Sequence, residues 1–366
     1  MKQYKQLTSG LRYQIYGLKQ AGLNQTEIAE KIGVDKGTVS RGSANGSINA
    51  GQGNNTVNGN AGDDSISAGS GNDALSGGDG NDNINAGEGI NTLNGGLGND
   101  TLNSGSGNDN ILGGDGNDSI SSGGGSDTID AGDGDDTIQV STQFVSVIGG
   151  LGTDTLFLSG VTGRTINLAA TGIERIQQGS EGDDTFNGAA MAVALIVNGN
   201  GGDDILTGGS TGDSLNGGEG NDNLTGNAGN DFLNNGGGAD TLIGQGGTDT
   251  LIGGTGLDFF RFTAIGDSVL GVGHDTISGF DAVGAVLGDR VDVNAIDANT
   301  GVAGNQNFTF ISTAAFSAAG QIRVFESGGN TIIQGNVDAA LGADFEILVQ
   351  DGINVAADWT LGDFFL

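Results

Sequence analysis

The 366-residue chain has no cysteine, no proline, a single histidine, and no lysine beyond Lys36. Without cysteine there are neither disulfides nor thiolate chemistry, so any stability outside a cell has to come from packing or from a metal. The lone histidine, His274, excludes a zinc-protease helix, which needs two histidines and a glutamate base. It stands in the glycine-rich turn Gly273-His274-Asp275 and reads as a surface polar group. Long apolar runs are missing too: the longest, Ala189 to Val197, is far short of the roughly 18 residues a membrane-spanning helix requires. The first thirty residues lack the apolar core of a cleavable signal peptide, so an export signal would have to lie elsewhere.

Glycine, at 75 residues, and acid, at 45 Asp or Glu against 12 Lys or Arg, dominate instead. The charge divides sharply at Arg41. Residues 1–41 carry a net +4 and the remainder −37. A body that acidic repels itself, and repels nucleic acid, unless cations neutralise it.

The glycine is periodic. From Arg41 to Phe157 the chain divides into thirteen consecutive nonapeptides. Nine of their sixth positions are aspartate: Asp64, Asp73, Asp82, Asp100, Asp109, Asp118, Asp127, Asp136 and Asp154. All thirteen eighth positions are apolar, from Ile48 and Val57 through to Leu156. A second array of seven nonads runs from Gly199 to Arg261, with Asp204, Asp213, Asp222, Asp231, Asp240, Asp249 and Asp258 at every sixth position. One isolated nonad, Gly179 to Asn187, adds Asp184.

Each part of the unit has a physical role. Glycines at positions two and four admit left-handed and tightly turned backbone and bring carbonyl oxygens together. The aspartate adds a hard, charged oxygen at the end of that turn. Oxygen ligands on a flexible turn suit Ca²⁺ better than Mg²⁺ or Zn²⁺. The eighth residue, apolar between polar neighbours, makes a short strand with one side chain facing inwards. One unit buries almost nothing, so units have to stack.

Units such as Gly113-Gly114-Asp115-Gly116-Asn117-Asp118-Ser119-Ile120-Ser121 closely resemble the RTX, or haemolysin-type, calcium-binding repeat. The resemblance implies a parallel β-roll in which two nonads make one coil, turns alternate between two edges, and Ca²⁺ sits between successive turns of one edge. Same-edge aspartates are then 18 residues apart. One edge of the first array reads Asp64, Asp82, Asp100, Asp118, Asp136 and Asp154 without interruption. The other reads Asn55, Asp73, Asn91, Asp109, Asp127 and Val145, so calcium is expected to load the two edges unequally. Binding and folding would be one event, at sites of extracellular type with Kd of about 10⁻⁴ to 10⁻³ M.

Residues 158–198 break the rhythm and read as an irregular β connection. After Arg261 the chain turns to alternating, aromatic-containing strands that suit a cap on an open solenoid end. The stretch Asp289-Arg290-Val291-Asp292-Val293-Asn294-Ala295-Ile296-Asp297-Ala298-Asn299-Thr300-Gly301, continuing to Phe308-Thr309-Phe310-Ile311, is similar to the C-terminal domain of serralysin-type secreted proteases. The terminal Asp363-Phe364-Phe365-Leu366 resembles that family's uncleaved export signal. Together they imply type I secretion machinery as a partner and a secreted or cell-surface place in bacteria.

Residues 1–41 read as a small helical segment. Gln25 to Arg41, with Ala29, Gly33 and Val39 at the spacing of two packed helices, resembles the helix-turn-helix of insertion-sequence transposases. That resemblance would place Lys36, Thr38, Ser40 and Arg41 towards DNA. A solenoid cap left by gene fusion and a helical contact for another partner are the competing readings.

The expected architecture is therefore mainly β: a parallel β-roll solenoid in two arrays (42–157 and 199–261), a β-rich C-terminal cap with the export signal (262–366), and the helical segment (1–41). The expected function is a secreted or surface protein that folds on binding several Ca²⁺ ions, with no membrane span. No catalytic constellation stands out among the acids, so the chain is read as a non-enzyme. The alternative is a DNA-binding protein with a calcium-folded acidic body.

Overall fold

The structure, a computed structural model, describes residues 38–40, 45–141, 143–160, 162–281, 288–350 and 356–366. The chain forms two compact units, residues 1–156 and 157–366.

In the first unit the nonapeptide becomes strand, turn, strand, turn. Seven parallel strands, from Thr38–Ser40 and Thr56–Ala61 to Gln143–Leu151, make one face. Strands Gly46–Gly51, Asp64–Ala68, Asn83–Asn85, Thr101–Asn103, Ser119–Ser121 and Thr137–Val140 make the other. Register is set by the eighth position: Ile48, Ile66, Ile84, Leu102, Ile120 and Ile138 stack on one face. Val57, Leu75, Leu93, Ile111, Ile129 and Val147 stack on the other. All of them are at most 2% exposed. Each contributes about 1.5–3 kcal/mol by leaving water, which a lone repeat could not realise.

The turns depend on glycine for two reasons that Gly114 combines. Its φ of 122° is open to glycine and closed to most side chains, and a Cβ there would lie 2.0 Å from the Gly96 carbonyl oxygen one coil below.

The second unit repeats the plan with its own two faces. Ile166, Phe186, Leu206, Leu224, Leu242, Phe260, Val291 and Phe364 stack in one parallel sheet. Ile176, Val197, Leu215, Leu233, Leu251, Ile277 and Val349 stack in the other. The irregular stretch between the arrays is thus built of coil turns lengthened by insertions and a single four-residue α-helix, Leu168–Thr171.

The cap begins where strand Phe345–Gln350 pairs parallel with Asp275–Ser278 on one side and antiparallel with Asn330–Asn336 on the other. Gln321–Ser327 extends it antiparallel. The terminal strand Phe364–Phe365 pairs with Arg290–Asp292, and Phe364 packs against Trp359 and Phe310. Of the alternating stretches after Arg261, residues 322–325, 331–333 and 345–349 fall within strands.

Most of the helical segment expected over residues 1–41, with Lys36 and Arg41, lies outside the described residues. Thr38 and Ser40 do not lie on a recognition helix: Thr38–Ser40 is a strand in register with Thr56–Asn58. The reason is periodicity. Val39 stands 18 residues before Val57 and, like it, lies between two polar residues in the sequence.

Candidate metal centres along the turn edges

The sixth-position aspartates are gathered in rows, one row per edge. In each, the carboxylate reaches back one coil and its Oδ1 accepts the main-chain N–H of the preceding row member. Asp64, Asp82, Asp100, Asp118 and Asp136 donate to Asp82, Asp100, Asp118, Asp136 and Asp154 over 2.7–2.9 Å. In the second unit Asp184, Asp204, Asp222 and Asp240 donate to Asp204, Asp222, Asp240 and Asp258 over 2.7–3.1 Å. Its other row runs from Leu195 through Asp213 and Asp231 to Asp249. The 18-residue spacing inferred for same-edge aspartates is the spacing of these bonds, stretched to 20 at Asp184–Asp204.

The other oxygen is the unusual one. These aspartates are at most 3% exposed, and Oδ2 of Asp73, Asp82, Asp100, Asp109, Asp118, Asp127, Asp136, Asp204, Asp222, Asp231, Asp240, Asp249 and Asp258 has no hydrogen-bond partner. Asp64 lacks a partner at both oxygens. A buried carboxylate oxygen without a donor is costly, on the order of several kcal/mol if charged.

Glycine at position one opens a cradle against this oxygen. A Cβ on Gly95 would lie 2.2 Å from Asp100 Oδ2 and 2.5 Å from the Gly113 carbonyl oxygen. A Cβ on Gly113 would similarly meet Asp118 Oδ2 at 2.4 Å and the Ala131 carbonyl oxygen at 2.2 Å. Oxygen therefore faces oxygen across the turn. In the second unit Asn235 takes position one of its turn, fully buried, with neither amide atom partnered.

The two asparagines at sixth positions supply the control. Asn91 Nδ2 donates to the carbonyl oxygens of Gly89 and Ser104, at 3.4 and 3.2 Å. Asn55 Nδ2 donates to those of Gly51 and Gly53, at 3.2 and 2.6 Å. An amide N–H thus meets the turn carbonyls where the sixth residue is Asn, whereas an Asp turn brings only more oxygen. Carbonyl and carboxylate oxygens on a flexible turn, with no nitrogen or sulfur, are the donor set of Ca²⁺. No group of three or more His, Cys, Asp or Glu side chains able to hold a metal occurs among the described residues. Main-chain carbonyls would have to complete each shell.

Burial pushes the carboxyls of Asp100, Asp118, Asp204, Asp222, Asp231, Asp240 and Asp249 up, against the partial relief of the Oδ1 hydrogen bond and with a contribution from like-charged neighbours. Asp118, Asp222 and Asp249 rise to about 6. Asp100, Asp231 and Asp240 rise to about 7, and Asp204 to about 8.

A family model for the RTX calcium-binding nonapeptide repeat matches residues 41–160 and 198–260 in overlapping stretches, half of the chain. The chain belongs to the RTX calcium-binding repeat family. This RTX chain also matches two solved solution structures from the Azotobacter vinelandii mannuronan C5-epimerase. The AlgE6R2 subunit is 29% identical over 44% of this chain and 91% of its own, with a TM-score of 0.33. The AlgE6R3 subunit is 29% identical over 45% and 80%, with a TM-score of 0.22. No curated protein matches.

Two of the expected site residues differ from the rest. Asp184 Oδ2 accepts the Ser180 N–H at 2.8 Å and Asp213 Oδ2 the Gly209 N–H at 2.5 Å, so both turns are closed by the protein's own donors. Both depart from the motif, with Ser180 at position two and Thr211 at position four. His274, read as a surface group, is partly buried, with Nδ1 3.2 Å from Glu346 Oε1.

Two residues escaped the repeat register. Asp275 Oδ1 accepts the Asp249 N–H at 2.8 Å, and Asp289 Oδ1 the Asp258 N–H at 2.9 Å. Both rows thus run past the second array. Leu270-Gly271-Val272-Gly273-His274-Asp275-Thr276-Ile277-Ser278 keeps glycine at two and four, aspartate at six and isoleucine at eight, a signal hidden by the insertion before it. The fifth position was also overlooked. Asn81, Asn99 and Asn117 each accept the N–H of the residue 18 later, giving a second row that runs opposite to the aspartates.

Proposed function

We propose that this RTX chain is exported unfolded by a bacterial type I system and folds outside the cell as Ca²⁺ fills the turns of its two units, acting as a calcium-ordered structural body rather than an enzyme. The observation that carries the reading is the row of buried aspartate Oδ2 atoms facing carbonyl oxygens with no donor between them. In cytoplasm, where Ca²⁺ is scarce, the rows would oppose folding, and outside they would drive it. The ligands are the aspartates with an unpartnered Oδ2, together with turn carbonyls.

Export rests on the serralysin-like C-terminus. Its last strand, Phe364–Phe365, is paired and Phe364 is 5% exposed, so a transporter could read it only before the unit folds. No helix among the described residues is long and apolar enough to cross a membrane.

Far-UV circular dichroism across a Ca²⁺ titration tests the folding step. The chain should be largely unordered in chelator at pH 8 and gain β signal cooperatively with added Ca²⁺. Full β signal in strong chelator would sink the reading. Recovery of the protein from culture medium, lost on deleting residues 363–366, tests export.

A further inference from the structure

We propose that the second unit begins to fold without calcium: its first two coils, residues 162–201, are held by Arg164 and by main-chain donors where other turns need an ion, and the calcium-dependent coils build on them. The inference rests on the calcium reading above and adds the place where folding starts.

Arg164 takes the position of an aspartate at the head of one row. Its N–H donates to Asp184 Oδ1, as each row member does to the next, across 20 residues. Thr165 and Ile166 pair with Thr185 and Phe186 as seventh and eighth positions should. The arginine is 8% exposed. Burial pushes the Asp184 carboxyl up, and the Ser180 and Arg164 donors, with the Arg164 charge, pull it back. Asp184 also accepts the Ser180 N–H on Oδ2 and the Ser180 hydroxyl on Oδ1. A guanidinium is always charged and suits buried pairing. It thus supplies here the positive charge that Ca²⁺ would bring elsewhere.

The other row also opens without an ion. Its head is Leu195, whose N–H donates to Asp213 Oδ1 at 2.8 Å, and the Gly209 N–H closes Asp213 Oδ2. Met191, in the insertion before Leu195, accepts the Ser210 N–H at 3.0 Å. The third coil is therefore joined to the second on this edge by the chain's own groups. Calcium dependence enters at Asp204, the first aspartate of either row in this unit with an unpartnered Oδ2.

The same coils carry more apolar packing. An ordinary coil such as 204–221 buries two aliphatic side chains, Leu206 and Leu215, whereas the coil from Arg164 to Asp183 buries Ile166, Leu168, Ile173 and Ile176. In a linear array, folding can start at one repeat and spread to its neighbours. The repeat with the most burial and the fewest unpartnered oxygens is the one that starts it.

Hydrogen exchange of the full chain, read by mass spectrometry in chelator at pH 8, tests this. Peptides within 162–201 should exchange at least about tenfold more slowly than peptides from 64–136 and 213–258, and added Ca²⁺ should bring the latter to similar protection. Arg164→Gln, which keeps the main-chain donor and removes the charge, should abolish the difference in chelator, whereas Arg164→Lys should keep most of it. Unchanged protection in Arg164→Gln overturns the role of Arg164. Uniformly fast exchange in chelator, with protection only on adding Ca²⁺, overturns the calcium-free start and leaves the calcium reading standing. Uniformly slow exchange in chelator overturns both.

Discussion

Acid should substitute for calcium in folding this protein. Successive coils of a parallel roll are about 4.8 Å apart, so the carboxylates of one row recur at about that spacing. Two unit charges at that distance repel by roughly 3.5 kcal/mol at an effective dielectric of about 20. The unbroken row from Asp64 to Asp154 contains five neighbouring pairs, hence a repulsion on the order of 17 kcal/mol if all are ionised. That exceeds the whole stability of an ordinary domain, about 5–15 kcal/mol. Either cations or protons must remove it.

The direction follows from proton binding. Carboxyls raised to about 6–8 in the folded chain, such as Asp118, Asp100 and Asp204, hold more protons folded than unfolded, where they titrate near 4. Their stabilisation is complete below the unfolded value and disappears as pH rises through about 6–8. Circular dichroism and the fluorescence of buried Trp359 should be followed in chelator from pH 8.5 to pH 4.5. The expected result is an unordered chain at the alkaline end and recovered β structure near pH 5, with the midpoint moved upward by added Ca²⁺. A chain equally folded at both ends in chelator would refute the reasoning.

Other outcomes follow from single turns. Asn91→Asp replaces the amide N–H that closes its turn with a second oxygen, so titration calorimetry should count one additional Ca²⁺ while the calcium-free chain becomes harder to fold at pH 8. In a calcium-soaked crystal of the unaltered protein, ions should line the edge from Asp64 to Asp154 without a gap and be missing beside Asn55 and Asn91; equal occupancy would refute the inequality of the edges. Gly113→Ala drives a methyl between Asp118 Oδ2 and the Ala131 carbonyl oxygen, and should cost about 1–3 kcal/mol in calcium-saturated denaturant unfolding, with weaker Ca²⁺ binding in the same variant.

How much of this was legible beforehand differs by feature. The mainly β roll was legible because one period fixed two things at once: apolar residues at position eight have only each other to pack against, and glycines at two and four have only tight turns to occupy. The cap strands were legible by alternation. Thr38–Ser40 was misread because a short segment can satisfy helical spacing and strand alternation together, and pairing with Thr56–Asn58 decided between them.

The sequence by itself determined the coil, its 18-residue repeat and which edge positions of the first array carry aspartate or asparagine, since each follows from which residue type falls at a fixed step along the chain. Only the tertiary structure decided which oxygens are left unpartnered, because hydrogen bonding between coils joins residues that no period connects. By that route it closed the turns at Asp184 and Asp213 with N–H groups and brought Asp275, 26 residues from Asp249, into the row.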